Sequence, residues 1–320
     1  MRILFLFCLI IKTIVAFHDD AEINYCDDLY LDLCRNKGLH VGCQFPEDGP
    51  GSACVNYTKI QFDKKLRNFV TSYINRKRQN VASGEEEVRD GQHLPRPNLM
   101  MFVTWDDELA LLAQRLADQC QFVHDDCRAT ARFPYAGQTV GEARWRTNLE
   151  DTSAHIIQSL RRIIDAWWAE KKHVSAQELI QPFKLYASPP PWGHFSQLAV
   201  WSLEGIGCGA VLYGPNKLLL VCDFSHTNML GQRTLRPGPL LPCPEGMERN
   251  NYYTLLCANV SKFTKLMLSS SSARRRPLPP SRRPTYNLSS PSVVGSSSDI
   301  CFGSGYNRVV GSATQSADPG

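Results

Sequence analysis

Beyond its first sixteen residues, this 320-residue sequence lacks any apolar run long enough to cross a bilayer. The early run from Ile3 to Ile11 is itself too short to span, and Lys12 interrupts it. Arg2 gives it a positive start and Ala16 ends it with a small residue, as in a secretory signal. We therefore expect residues 1–16 to be a signal peptide and the mature protein to be extracellular, without a transmembrane segment.

The sequence also lacks the features of a nucleic-acid-binding or zinc-cluster protein. Its net charge is +4, but from residue 260 onward eight Lys and Arg face two acids, so this tail contributes about +6 and the rest is near neutral or slightly acidic. A basic solvated tail of this kind is suited to acidic glycans or lipids. The cysteine-dense N-terminal segment contains no Cys-x-x-Cys pair, which argues against a zinc cluster there.

Cysteine is abundant, as in a protein that folds in an oxidising compartment. Removing Cys8 of the signal leaves eleven of the twelve cysteines, and ten of these lie between Cys26 and Cys257. Their spacing does not fix which pairs with which. Cys301 is the odd one, either a free thiol or the site of an intermolecular disulfide in an otherwise monomeric protein.

Composition divides the chain into five segments. Residues 261–320 are rich in Ser, Pro and Arg, cannot bury a core, and are expected to be disordered. The predicted order is a signal peptide (1–16), a cysteine-rich extension (17–62), a main domain (63–232), a short disulfide-bearing extension (233–260) and the tail (261–320).

Apolar spacing predicts the main helices and one hairpin. Thr104 is expected to cap the second helix, with Trp105 to Glu108 as its acidic first turn. The predicted helices are 62–83 with Gly84 as its stop, one from Thr104 to Cys120, 153–172 and 194–201, and the predicted strands are 206–213 and 217–224.

Four stretches resemble the CAP superfamily, the secreted cysteine-rich proteins that include insect venom antigen 5. They agree in order and character over roughly residues 24–257. The stretches are Gln119-Cys120-Gln121-Phe122-Val123-His124-Asp125-Asp126-Cys127, Asp165-Ala166-Trp167-Trp168-Ala169-Glu170, Pro191-Trp192-Gly193-His194-Phe195-Ser196 with Gly207-Cys208-Gly209 after it, and Leu220-Val221-Cys222-Asp223-Phe224.

The resemblance implies an α+β fold, a three-layer α-β-α sandwich with a small antiparallel sheet between helices. It also implies the disulfides Cys26–Cys43, Cys34–Cys127, Cys54–Cys120 and Cys208–Cys222, which leaves Cys243 and Cys257 as a pair. The chain departs from the family pattern at Ile74, where relatives carry His, and at Val200, where relatives carry Trp.

Carried over position by position, the family's central cleft consists of His124, Gln138, Glu170 and His194. Gln138 replaces an acid present in most relatives, and Glu142 is a lesser candidate for that position. Two imidazoles and a carboxylate could hold Zn²⁺ or another divalent cation, with Gln138 as a weak neutral fourth group. The alternative is a buried polar cluster that requires no cofactor and in which Glu170 hydrogen-bonds both histidines.

Three functions remain open. The first is a non-enzymatic secreted protein that recognises an extracellular protein or glycan. The second is a carrier of sterols or other lipids, with an apolar groove between Pro182 and Trp192. The third is a metal-dependent hydrolase; a serine triad of Ser196, His194 and Glu170 is disfavoured because residues two apart on a helix do not face each other. Glycosylation sequons lie at Asn56, Asn259 and Asn287.

Overall fold

The computed structural model describes residues 23–145, 152–184, 191–249 and 251–259. The predicted signal peptide and the whole predicted tail, with Asn287 and Cys301, lie outside these ranges. Within them, no helix combines the length and the hydrophobicity needed to cross a membrane.

Seven α-helices are present in the described ranges. The helices are α1 (Asp28–Leu33), α2 (Val41–Gln44), α3 (Lys64–Ser83), α4 (Asp107–Ala117), α5 (Thr152–Ala169), α6 (Ala176–Ile180) and α7 (Gly193–Ala199). Two 3-10 turns, Arg89–Gly91 and Glu170–His173, follow α3 and α5.

A mostly antiparallel five-stranded sheet forms the middle layer. The strands of the described ranges are β1 (Thr58–Lys59), β2 (Thr104–Trp105), β3 (Gly137–Arg144), β4 (Gly205–Tyr213), β5 (Lys217–Phe224), β6 (Met247–Glu248) and β7 (Ala258–Asn259). The five strands of the main sheet run in the order β1-β4-β5-β3, and β2 pairs in parallel with β4. A separate two-stranded sheet joins β6 to β7.

Helix α4 covers one face of the sheet, and two glycines of β4 allow it to lie close. A Cβ on Gly207 would stand 2.0 Å from the backbone nitrogen of Ala110, and one on Gly209 would stand 2.3 Å from the Cα of Gln114. The Gly207-Cys208-Gly209 sequence is therefore a packing requirement, because any side chain there would push helix and sheet apart.

Helices α3, α5 and α7 cover the opposite face and form the larger core with the sheet. Arg78 of α3 is fully buried and has no accessible surface. Its guanidinium donates to the carbonyl oxygens of Leu198 (2.7 Å), Val200 (3.0 Å) and Leu203 (3.2 Å). These hydrogen bonds supply donors to backbone carbonyl oxygens at and after the C-terminal end of α7, and they hold that end of the helix against α3.

Five disulfides hold the extensions to this core. They join the same cysteines that the resemblance implies, together with the pair left over: Cys26–Cys43, Cys34–Cys127, Cys54–Cys120, Cys208–Cys222 and Cys243–Cys257. Layers, sheet and disulfides confirm the predicted α-β-α sandwich with a disulfide-rich N-terminal extension.

The structure corrects several local predictions. Asp106, not Thr104, caps α4 by accepting a hydrogen bond from the nitrogen of Leu109, because Thr104 pairs with β4 as part of a strand. Helix α3 begins at Lys64, two residues later than predicted. The two departures from the family pattern, Ile74 and Val200, are buried apolar core residues, so the lost His and Trp are replaced by ordinary packing.

Candidate functional site

His124 lies in the loop between α4 and β3, and this loop is fixed at both ends. Cys120 bonds to Cys54 before it, and Cys127 bonds to Cys34 after it. Cys127 also accepts a backbone hydrogen bond from Val41 at 2.7 Å. The disulfides and the backbone contact therefore give His124 a defined position, although it has no regular secondary structure around it.

Gln138, near the start of the edge strand β3, is the direct partner of His124. Its Oε1 lies 2.8 Å from His124 Nδ1. Its Nε2 donates to Asp125 Oδ2 at 2.7 Å and to Asp223 Oδ1 at 2.9 Å. Since both carboxylates accept hydrogen bonds from the amide nitrogen, the amide oxygen must face the imidazole. His124 therefore carries its proton on Nδ1 and leaves Nε2 as an acceptor.

A partly buried arginine, Arg128, balances the two carboxylates behind Gln138. Arg128 donates to Asp125 from Nε at 2.7 Å, and the same Nε lies 4.0 Å from Asp223. Burial and the charge of Asp125 raise the pKa of Asp223 well above its usual value, against the opposing effects of Arg128 and Gln138.

Glu170 and His194 form the other side of the site. Oε1 of Glu170 lies 2.7 Å from His194 Nδ1, and its Oε2 accepts from the backbone nitrogens of His194 (2.8 Å) and Phe195 (3.2 Å). These nitrogens belong to the first turn of α7, which has no side-chain cap of its own. Glu170 thus stands at the C-terminal end of α5, an unfavourable place for a carboxylate, but is compensated by the N-terminus of α7.

The two histidines are held by separate partners, His124 by Gln138 and His194 by Glu170. His194 stacks on Trp167 of α5, with ring centroids 5.9 Å apart and ring planes 14° apart. Burial and, after it, the positive charge of Arg128 lower the pKa of His124 to about 4, against the opposing effect of its hydrogen bond to Gln138. Each imidazole is anchored through Nδ1 by a different buried acceptor.

This arrangement does not fit the four-ligand metal site considered from the sequence. Gln138 Oε1 and both oxygens of Glu170 already accept hydrogen bonds, so they serve as supports for the imidazoles. Among the described residues, no group of three His, Cys, Asp or Glu side chains is placed to hold a metal ion. The polar-cluster alternative is also altered in one respect, since Glu170 bonds His194 whereas His124 pairs with Gln138.

Ser196 follows His194 closely in sequence but is not directed at it. Its hydroxyl donates to the carbonyl oxygen of Gly193 at 3.0 Å and accepts from Asn228 Nδ2 at 3.0 Å. The side chain is also buried, with 1% exposure. A serine that is turned away from its nearest imidazole and closed to solvent lacks the geometry of an activated nucleophile.

Sequence reasoning missed three residues of the site. These are the charged residues that support Gln138: Asp125, Arg128 and Asp223. The stretch around His124 indicated a function only for its histidine and its cysteines. The lesser candidate, Glu142, lies elsewhere on β3, where it accepts a hydrogen bond from Tyr213 and pairs with Arg144. Of the glycosylation sequons, Asn56 and Asn259 are exposed.

This disulfide-bonded α-β-α sandwich is the architecture of a known class of cysteine-rich secretory proteins. A model of that class, the cysteine-rich secretory protein (CAP) family, matches residues 71–224. Venom allergen-1 of Aedes aegypti is 30% identical over 73% of this chain and 87% of its own length, and venom allergen 5 of Dolichovespula arenaria is 32% identical over 63% and 92%. The chain belongs to the CAP family.

One solved structure supports the fold independently. The crystal structure of Na-ASP-1 superposes with a TM-score of 0.51 and 21% sequence identity, over 66% of this chain and 51% of that one. At this identity the likeness concerns the fold alone.

Proposed function

We propose that this protein is secreted and acts outside the cell as a non-enzymatic recognition protein, with the His124–His194 cleft as part of its binding surface. The observation that carries the proposal is the way the imidazoles are held: Gln138 fixes Nδ1 of His124 and Glu170 fixes Nδ1 of His194, and among the described residues no hydroxyl or thiol is hydrogen-bonded to either ring. Imidazole edges held in a fixed orientation are suited to hydrogen bonding with a partner.

Two further properties support an extracellular role. Five disulfides in the described ranges are typical of proteins that fold in an oxidising compartment. The relatives reported above carry the name venom allergen, and the start of the sequence reads as a signal peptide.

The lipid-carrier alternative has no specific support among the described residues. Phe183 and Trp192, at either end of the expected groove, are both buried and pack edge to face with ring centroids 5.8 Å apart. Most of the residues between them lie outside the described ranges, so the alternative is tested by experiment.

The test compares the full-length secreted protein with His194→Ala and with His93→Ala as the control, since His93 is an exposed histidine outside the cleft. The immobilised wild type is exposed to the fluid into which the protein is secreted, and the retained partners are identified by mass spectrometry. We expect wild type and His93→Ala to retain the same partner and His194→Ala to lose it.

Two assays on the same samples can contradict the proposal. Ester or peptide turnover that is lost in His194→Ala and on chelation would make the protein a metal-dependent hydrolase. A sterol or other lipid recovered at near one molecule per protein by solvent extraction would make it a carrier.

A further inference from the structure

A second concave site lies between α3 and the segment closed by the Cys243–Cys257 disulfide, residues 243–257. This cavity has a volume of about 340 Å³, near the lower end of the range for small-molecule sites. It is lined by Tyr73, Arg76, Lys77, Gln79, Asn80, Tyr252 and Tyr253.

The outer wall of the cavity is held firmly against α3. Gln79 donates from Nε2 to Thr254 Oγ1 at 3.2 Å and accepts at Oε1 from the nitrogen of Leu255 at 3.3 Å. The ring of Tyr253 packs on Phe102 with centroids 5.1 Å apart. The disulfide Cys243–Cys257 closes the segment behind it. The concavity is therefore built by specific contacts on both sides.

The inner wall is one face of α3, since Tyr73, Arg76, Lys77 and Asn80 recur at spacings of three and four residues. Lys77 is already neutralised by Asp165 at 2.7 Å. Arg76 is exposed and, within the described part of the chain, forms no ion pair; its guanidinium lies 5.4 Å from the centre of the Tyr73 ring. The cavity thus has one uncompensated cation.

Tyr252 supplies the exposed aromatic surface of the cavity, since Tyr73 stacks on Phe69 and Tyr253 packs on Phe102. Tyr252 stands at the rim with 68% of its surface exposed, although large aromatic side chains are usually covered. Aromatic faces stack against the C–H face of a sugar ring, and an amide such as that of Asn80 hydrogen-bonds its hydroxyl groups. A guanidinium prefers a carboxylate, which it binds through two parallel hydrogen bonds.

We infer that this cavity binds an acidic sugar, with the carboxylate of a uronic acid on Arg76 and its pyranose ring against the exposed ring of Tyr252. The inference does not depend on the histidine cleft, which lies on other elements and would recognise a partner by different groups.

The experiment titrates the full-length protein with methyl β-glucuronide and with methyl β-glucoside, which has the same ring but no carboxylate, by ligand-observed NMR. For a ligand of this size we expect a roughly millimolar Kd for the glucuronide, and at least fivefold weaker binding of the glucoside. Arg76→Gln and Tyr252→Ala should each weaken glucuronide binding at least fivefold.

The control is Lys65→Gln, which removes the same charge from an exposed position of the same helix outside the cavity. It should bind the glucuronide with a Kd within twofold of that of the wild type. Because the basic tail is the same in all variants, a loss of binding in Arg76→Gln alone cannot come from the tail. Absence of saturable glucuronide binding would overturn the inference. So would equal binding of the two sugars, or equal losses in Arg76→Gln and Lys65→Gln, because both would indicate that Arg76 does not select the ligand.

Discussion

The Nε2 of Gln138 donates a 2.9 Å hydrogen bond to Oδ1 of Asp223, a carboxylate with no exposed surface. The same nitrogen also donates to Asp125. The position that is acidic in most of the superfamily here needs a hydrogen-bond donor, because two carboxylates lie against it. The amide is thus matched to its surroundings in this chain, and an acid would not be.

Gln138→Glu should destabilise the protein in a pH-dependent way. The new carboxylate would lose both donor bonds and lie against the carboxyl groups of Asp125 and Asp223, so we expect a loss of about 2–4 kcal/mol at pH 8. Burial and the neighbouring carboxyl groups would raise the pKa of the new carboxyl in the folded state. The loss of unfolding free energy should therefore be larger at pH 8, where this carboxyl is ionised, and smaller at pH 5. Urea unfolding at both pH values measures this. Gln121→Glu, an exposed change in the same loop, is the control and should cost little at either pH.

His124 should make the folded state sensitive to acid. Its pKa is lowered to about 4 from an unfolded value near 6.5, so the unfolded chain binds the proton first as pH falls. Stability is therefore complete above about pH 6.5 and is lost between there and pH 4, by up to about 3 kcal/mol from this residue.

His124→Asn, whose amide can replace Nδ1, should flatten the dependence of unfolding free energy on pH between 4.5 and 7. Exposed His93→Asn should leave the slope of the wild type unchanged. Equal slopes for wild type and His124→Asn would show that His124 is freely protonated in the folded protein.

Glu170→Ala should release the start of α7. Removal of the carboxylate leaves the nitrogens of His194 and Phe195 without their acceptor, and we expect a loss of about 2–4 kcal/mol. Hydrogen exchange at these two amides should accelerate more than the global loss of stability requires. Glu178→Ala removes the acid of a capping box on α6 and should cost only about 1 kcal/mol, without affecting α7.

Gly207→Ala should be among the most damaging single methyl additions in the chain. The new Cβ would meet the rigid backbone of α4 at 2.0 Å, so helix and sheet must separate, and we expect a loss above about 3 kcal/mol or a failure to fold. Gly205→Ala on the same strand would meet Ser225 Cβ at 3.3 Å and should be tolerated better. Secretion yield and thermal unfolding compare the two, and a Gly207→Ala protein as stable as Gly205→Ala would contradict this close approach.

The sequence predicted the β4–β5 hairpin and the long helices well, because their apolar residues recur at regular spacings and are bounded by clear turns. Strand β3 was missed. It is buried along nearly its whole length yet carries Gln138 and Glu142 among glycines, so neither alternation nor an apolar run marks it as a strand. Its polar residues are satisfied by partners distant in sequence, which no local pattern records.

The same limit applies to the site. The family resemblance supplied His124, Gln138, Glu170 and His194, and their role in binding stays a prediction. The pairing of Gln138 with Asp223 spans 85 residues, and the capping of α7 by Glu170 spans 24. Such contacts follow from the folded sheet and helices, so only coordinates show which acceptor holds which ring.

Because disulfides at Cys120 and Cys127 hold only the loop of His124, reduction would affect the position of His124 more than that of His194. A reducing environment would free the loop that carries His124, whereas His194 would remain seated on Glu170 by noncovalent bonds alone. Transfer of the protein out of an oxidising milieu would therefore loosen the surroundings of His124 before those of His194.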